Sequence, residues 1–254
     1  MIPAPTERFT GRVESYRRYR PGYPTALVDL LSRACNLTSH SVIADIAAGT
    51  GLLTEVFLAA GFSVTAVEPN AQMRAACSEL IENYPRLRVV EGTAETTALA
   101  GGSVDLITVA QAMHWFDLEK ARAEFVRILK PGGWCAIIYN NRPPSGDAFH
   151  EGYERLLQEY GVDYADVKRQ HMGRKRLAAF FAPSPMECAV LPNEQSFDLE
   201  GLEGRVLSSS YMPQPGHLRF EAMREAVRRL FEQTQTGGRV TMKHDCVVCW
   251  GRLP

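Results

Sequence analysis

No stretch of this 254-residue sequence is both long and apolar enough to cross a bilayer as a helix. It also lacks an excess of charge of either sign. The 28 Lys and Arg stand against 29 Asp and Glu, a formal net charge of -1. So balanced a chain does not have the electrostatic footprint of a nucleic-acid or anionic-membrane binder. The opening residues Met1-Ile2-Pro3-Ala4-Pro5 lack the apolar core of a secretion signal, and there is no internal repeat or low-complexity tract. Cysteines are few and scattered, at positions 35, 77, 135, 188, 246 and 249, mostly within apolar runs. That is the expectation for reduced, buried thiols of a cytoplasmic protein rather than a disulfide framework. Cys246-Val-Val-Cys249 has zinc-like spacing. Residues three apart in a strand face opposite sides, however, and no second Cys/His pair lies nearby, so no metal is expected.

What is present is an ordinary globular composition, 45% hydrophobic and 22% charged, sufficient for the core of a single domain over 1–254. Apolar strand-like runs alternate with amphipathic helical ones. The strands are expected at Val42–Ile46, Ser63–Val67, Leu87–Val90, Val104–Val109 and Trp134–Tyr139. The helices are expected at Leu52–Ala60, Ala71–Asn83 and Leu118–Leu129, after a first helix from Thr25, its N-cap, to Cys35. Gly61 is a C-cap, and Pro131-Gly132-Gly133 ends the Leu118 helix. Such alternation predicts an α/β, Rossmann-like fold with helices on both faces of a mostly parallel sheet.

After Asn140 the pattern changes. A helix at Phe149–Tyr160 precedes a charged, irregular stretch, Asp163–Pro185, expected as a small helical lid. A short strand, Glu187–Leu191, and helices at Leu199–Ser208 and His217–Gln233 follow. A last strand, Arg239–Trp250, would be the one antiparallel member of seven. Residues 1–145 would hold a cofactor, and 146–254 would supply the lid and the acceptor-binding part.

The most informative segment is Val42-Ile-Ala-Asp-Ile-Ala-Ala-Gly-Thr-Gly51, a strand running into a tight turn and a helix. Gly49 and Gly51 allow the turn and the close approach of a ligand. Glu68, at the end of the next strand, can accept both hydrogen bonds of a ribose diol. A dinucleotide site wants a third glycine, but Thr54 stands there. Asp45, before the turn, would repel a pyrophosphate and suits the amino group of a methionine moiety. The loop therefore points to S-adenosylmethionine (product S-adenosylhomocysteine) rather than NAD.

Asp45-Ile-Ala-Ala-Gly-Thr-Gly51 resembles motif I of the class I S-adenosylmethionine-dependent methyltransferases, with Ala47 where that family usually has its first glycine. Glu68 matches the family's ribose-binding acid. Gly92-Thr-Ala-Glu95 resembles its adenine loop, with Thr93 in place of the usual Asp. Val104-Asp-Leu-Ile-Thr-Val-Ala-Gln111 resembles its fourth-strand motif, and Leu129-Lys-Pro-Gly-Gly133 the turn before strand five. Four further segments are similar to the trans-aconitate methyltransferase-like (type 11) subgroup: Tyr16-Arg-Arg-Tyr-Arg-Pro-Gly-Tyr-Pro24, Gln111-Ala-Met-His-Trp-Phe-Asp117, Asn193-Glu-Gln-Ser-Phe-Asp-Leu199 and Ser208-Ser-Ser-Tyr-Met-Pro213.

The resemblance implies a cofactor site of Tyr16, Arg20, Asp45, Ala47, Ala48, Gly49, Thr50, Gly51, Glu68, Pro69, Met73, Thr93, Ala94, Glu95, Gln111 and Ala112. It implies an acceptor side with Tyr19, Tyr23, His114 and Trp115. Methyl transfer needs few catalytic side chains. His114 is the candidate base, although it and Trp115 can equally pack the mouth of the site. Tyr16 and Arg20 are expected to cap the cofactor, with Arg17 and Arg18 in solvent. A basic cluster, Lys168-Arg169 with Arg174-Lys175-Arg176, either attracts an anionic substrate or forms a solvated face.

The expected activity is methylation of a small-molecule carboxylate or hydroxyl, with no nucleic-acid or membrane partner. The competing readings are an NAD(P)-dependent oxidoreductase and a catalytically silent binding protein. The absence of an Asn/Asp-Pro-Pro-aromatic motif after the fourth strand argues against an exocyclic amine acceptor.

Overall fold

The computed structural model describes residues 13–165 and 173–254. The apolar runs form strands where expected, and two extend well beyond expectation. β1 is Val42–Ile46, β2 Ser63–Val67, β3 Leu87–Val90, β4 Val104–Ala110, β5 Leu129–Asn141, β6 Met186–Phe197 and β7 Val240–Arg252. They make one sheet in the order β3-β2-β1-β4-β5-β7-β6. The first five are parallel, and β7 runs antiparallel to both β5 and β6. Sheet order reverses beside β1, between β2 and β4. At such a switch point the loops after adjacent strands part and leave a crevice.

Nine α-helices are found among the described residues: α1 Val13–Tyr19, α2 Ala26–Ala34, α3 Leu52–Ala59, α4 Ala71–Ser78, α5 Leu118–Ile128, α6 Ala148–Tyr160, α7 Arg174–Phe181, α8 Leu199–Leu207 and α9 Phe220–Thr234. On one face of the sheet, Leu27 and Leu31 of α2 and Phe57 of α3 pack against Ile43, Leu106 and Ile138. On the other, Phe125 and Ile128 of α5 and Phe181 of α7 pack against Ile107, Val109 and Ile137. Full burial of side chains of this size stabilises the fold by about 1.5–3 kcal/mol each. A third cluster joins Tyr153 of α6, Leu202 and Val206 of α8 and Met223 and Val227 of α9 to Met242, on the extended β6–β7 hairpin. No described helix is long and apolar enough to span a membrane.

Several sequence expectations need correction. The stretch expected as a lid contains α7, whose Leu177, Phe180 and Phe181 are buried in the same cluster as Phe125. That helix is docked on the sheet, and Lys168 and Arg169 lie outside the described residues. Thr25 caps nothing with its side chain, because its own backbone is already helical (φ -59°, ψ -29°). The helix expected over Ala71–Asn83 tightens after Ser78 into a 3-10 turn, Glu79–Glu82. Pro131-Gly132-Gly133 belongs to β5, in an irregularity where the register with β4 shifts between Val104 and Leu106. The cysteines also divide differently. Cys188 and Cys249 face each other across β6 and β7 and form a disulfide, while Cys35, Cys77, Cys135 and Cys246 are free and buried. The partners are 61 residues apart, so only the strand register brings them together. Cys246 and Cys249 belong to the cores on opposite sides of the sheet.

Candidate active site

A cavity of about 750 Å³ opens above the carboxyl ends of β1, β2 and β4. That is within the roughly 300–1,000 Å³ typical of small-molecule sites. Its floor is the turn after β1. Ala47, Gly49 and Gly51 all have positive φ, 56°, 61° and 88°. The first is the position where motif I usually has glycine, and alanine adopts this left-handed conformation at some cost. The Ala48 N–H donates to the Val67 carbonyl at 3.2 Å, which ties the turn to β2. Gly51 serves packing: a Cβ there would lie 2.7 Å from Leu80 and 3.0 Å from the Cys77 sulfur. Gly51 and Thr50 consequently sit outside the cavity wall, whereas Ala47, Ala48 and Gly49 form part of it.

Two carboxylates flank the turn. Asp45, at the end of β1, is 1% exposed. Its oxygens accept from the hydroxyls of Thr54 (2.6 Å) and Thr108 (2.9 Å). Thr54 stands where a dinucleotide loop would have its third glycine, and it holds an acid there instead. Burial raises the Asp45 carboxyl to about 6, against the two hydroxyl bonds that lower it. Glu68, at the end of β2, accepts from the backbone N–H of Gly49 and of Asn70, each at 2.8 Å. Burial raises its carboxyl as well, while those two bonds pull it down. Each Glu68 oxygen spends one lone pair on the backbone and keeps acceptor capacity toward the cavity.

The remaining wall follows the strand ends. Pro69 and Met73 come from β2 and α4, and Thr93, Ala94 and Glu95 from the loop after β3. Glu95 accepts the Asp117 N–H at 2.9 Å, which joins that loop to α5. Gln111, with φ 59°, ends β4 and donates through its amide to the Asn140 carbonyl at 3.3 Å. Ala112 lies beside it on the wall, and the rings of His114 and Trp115 touch at a tilt of 47°, with centres 4.3 Å apart.

The N-terminal helix forms a strap over this cavity. Tyr16, Arg20 and Tyr23 lie on the wall. Arg17 pairs with Glu79 and Arg18 with Glu200, so both expected solvent residues are ion-paired anchors at the surface. The Asn193 amide donates to the Gly22 carbonyl at 2.8 Å, and that of Gln195 to the Tyr19 carbonyl at 3.1 Å. Arg20 donates to the Ser208 carbonyl at 2.9 Å. These contacts give the Asn193–Leu199 and Ser208–Pro213 segments a physical role: they hold the strap. Tyr19, expected on the acceptor side, is absent from the cavity wall. Its ring lies against Gly204, where a Cβ would approach to 2.2 Å.

Sequence reasoning assigned no site role to five further residues of the cavity wall, Arg142, Tyr164, Arg205, Tyr211 and His244. Two of these did leave a signal. His244 falls on the inward register of β7, alternating with buried Val240, Met242 and Cys246. Arg205 interrupts the buried face of α8 between Leu202 and Val206.

A family model described as "Methyltransferase domain" matches residues 44–137. An uncharacterized methyltransferase of Mycobacterium tuberculosis is 37% identical over 134 residues, 53% of this chain and 52% of the relative. The match therefore spans about half the length of that relative. A protein of Dictyostelium discoideum named as a methyltransferase is 37% identical over 191 residues, 66% of this chain and 68% of the relative. The chain belongs to the methyltransferase family. The solved structure of a protein assigned as a type II methyltransferase from Anaeromyxobacter dehalogenans shares the fold (TM-score 0.67, 24% identity, covering 93% of this chain and 99% of that one). The family-model match takes in Asp45, Glu68 and His114 but stops short of Arg142, Arg205 and His244.

Proposed function

We propose that the cavity takes S-adenosylmethionine and that the protein transfers its methyl group to an oxygen of a small-molecule acceptor, a carboxylate or a hydroxyl. One observation carries this reading: two buried acids, Asp45 and Glu68, flank a turn with three residues at positive φ. Glu68 has the acceptor capacity for a ribose diol, and Asp45 the charge for an ammonium group. Arg20, on the strap beside the Tyr16 ring, would take the methionine carboxylate. Met73 and Ala94 offer apolar contact to the base.

Bound there, S-adenosylmethionine supplies a methyl group already activated by the positive sulfur. The protein then aligns the acceptor oxygen and excludes water, which the strap and the enclosing wall are suited to do. A carboxylate acceptor is ionised at neutral pH and becomes a neutral ester without a base. A hydroxyl must give up its proton, and His114 on the wall is the group to receive it.

Isothermal titration with S-adenosylhomocysteine tests the donor site. Glu68→Ala, verified as folded by circular dichroism, should bind about 10–100-fold more weakly, because two charge-assisted hydrogen bonds to the diol are lost. Unchanged affinity in that variant would remove Glu68 from the ribose. Release of S-adenosylhomocysteine with panels of carboxylic acids and alcohols then identifies the acceptor.

A further inference from the structure

Glu124 is a charged residue where the pattern of its helix calls for an apolar one. It falls on the buried stripe of α5 with Ala121, Phe125 and Ile128 and is 9% exposed. A carboxylate in such a place needs partners, because burial disfavours the charged form. Its Oε1 accepts the backbone N–H of Thr97 at 2.8 Å and the Thr97 hydroxyl at 2.6 Å. Arg127, three residues on along α5, donates to both carboxylate oxygens, at 2.7 Å to Oε1 and 2.6 Å to Oε2. The Arg127 bonds bring the carboxyl down to about 2 against its burial, and the Thr97 bonds add to them. Glu124 is therefore ionised at neutral pH.

The same arginine reaches past the acid to the Leu99 carbonyl, at 2.8 Å. Thr97 and Leu99 are thus both tied to α5. Between them Ala98 has φ 60°, a left-handed conformation that a residue with a Cβ adopts at a cost. A tie on each side holds it there.

None of Thr97, Glu124 and Arg127 lines the cavity. Whatever they do for a ligand passes through their neighbours, and the path is short. The backbones of Thr93 and Thr96 bond each other in both directions, at 3.0 and 3.3 Å. A Cβ on Gly92 would lie 2.8 Å from the Thr97 carbonyl oxygen and 3.0 Å from that of Thr96. The two ends of the turn therefore touch. Thr93, Ala94 and Glu95, which do line the cavity, are carried by a closed unit whose far end is clamped to α5.

On the donor reading the ribose lies at Glu68, at the end of β2. β3 is the next strand outward, so the turn after it meets the base. We infer that Glu124 and Arg127 are positioning residues for that base: they never touch it, but by fixing the Thr93–Glu95 turn they set how strictly the cavity distinguishes adenine from another purine. A wall held rigid leaves polar groups unpaired against the wrong base edge, whereas a slack wall adapts to both. This inference rests on the donor reading for its ligand, but the clamp itself can be tested without it.

The test titrates S-adenosylhomocysteine and S-inosylhomocysteine, which carries hypoxanthine in place of adenine, into the wild type and a set of variants. The wild type should prefer the adenine compound by about tenfold or more. Glu124→Gln, which keeps the shape and removes the charge, and Arg127→Met should each cut that preference by about threefold or more, with faster hydrogen exchange over residues 92–99. Thr97→Val keeps the ion pair and loses the hydroxyl bond, so it should move the preference the same way. Thr97→Ser keeps both donors and should stay within about twofold of the wild type. Lys130→Met removes the Lys130–Asp105 ion pair (2.7 Å) just beyond α5 and should leave the preference unchanged, which separates positioning from a general loss of stability. Equal binding of the two compounds to the wild type would overturn the inference. So would an unchanged preference in folded Glu124→Gln or Arg127→Met, or an equal loss in Lys130→Met. If the Glu124 and Arg127 variants do not fold, Thr97→Val decides alone. If the wild type binds neither compound, the donor reading falls, and exchange over residues 92–99 in Glu124→Gln still decides whether the clamp holds the turn.

Discussion

Asp45 sets the pH behaviour expected of the site. Burial raises its carboxyl to about 6 in the folded protein, whereas the unfolded chain releases the same proton near 4, the ordinary carboxylate value. The stabilisation from this group is therefore fully present below about pH 4 and lost as pH rises through about 6. A cationic ligand reverses the preference, because an ammonium group is met by the ionised form. Affinity for S-adenosylhomocysteine should rise as pH climbs through 6, and binding at pH 6 should release about half a proton. Titration calorimetry in buffers of different ionisation enthalpy measures that release. Glu68 is shifted in the same direction and by the same cause, so Asp45→Asn assigns the effect: the variant should lose the proton release and most of the pH dependence. Wild-type binding without proton release at pH 6 would detach Asp45 from the amino group.

At the scale of the element, α1 is the piece whose position decides whether the cavity is closed. It buries no residue fully and is held by its side chains and carbonyls. Its closest fit is the Tyr19 ring against Gly204 of α8, where an added Cβ would lie 2.2 Å from a ring carbon. Gly204→Ala forces the ring out, and overpacking of this kind costs about 1–3 kcal/mol. The expected result is faster hydrogen exchange over residues 13–24, unchanged exchange in β1 and β4, and S-adenosylhomocysteine affinity reduced about 3–10-fold. Unaltered exchange and affinity would show that the strap does not depend on this fit. The strap was legible in the sequence as a cluster of tyrosines and arginines, but what it rests on was not, because Asn193, Gln195, Ser208 and Gly204 are distant in the chain. β1 to β4 were legible nearly to the residue, since each is a short apolar run, and β2 and β3 are each ended by an acid, Glu68 and Glu91. β5 and β6 were undercounted: β5 takes in Pro131-Gly132-Gly133, and β6 alternates exposed and half-buried positions toward its end, in a hairpin with β7 that carries the third core cluster. α7 has Leu177, Phe180 and Phe181 at helical spacing, yet the preceding Arg174-Lys175-Arg176 made the stretch look like a solvated lid. Arg205 and His244 left only a faint signal for a different reason: a lone polar residue on an apolar face breaks the pattern but forms no motif, and only the cavity gives it meaning.

For the molecule as a whole, the question is whether ligands are drawn in by a surface field or held by buried groups. The net charge is -1, so there is no strong overall field. The local basic cluster at Arg174, Lys175 and Arg176 is exposed on α7 and absent from the cavity wall. Several of the charges that face the cavity are of another kind: Asp45, Glu68 and Arg205 are each at most 6% exposed. Salt acts on these two classes differently. At 0.1 M the screening length is about 10 Å in water, which weakens exposed charges at a distance and leaves buried contacts nearly untouched. S-adenosylhomocysteine, a zwitterion, would be gripped at contact range by groups of the second class. Its affinity should therefore stay within about threefold between 0.05 and 0.5 M NaCl, and its association rate should be similarly flat in stopped-flow measurements. Attraction by the surface cluster predicts the opposite, an affinity that falls tenfold or more across that range through the association rate. If that fall occurs in the wild type and disappears when Arg174, Lys175 and Arg176 are replaced together by Gln, the α7 surface governs binding, and the buried acids do not act alone.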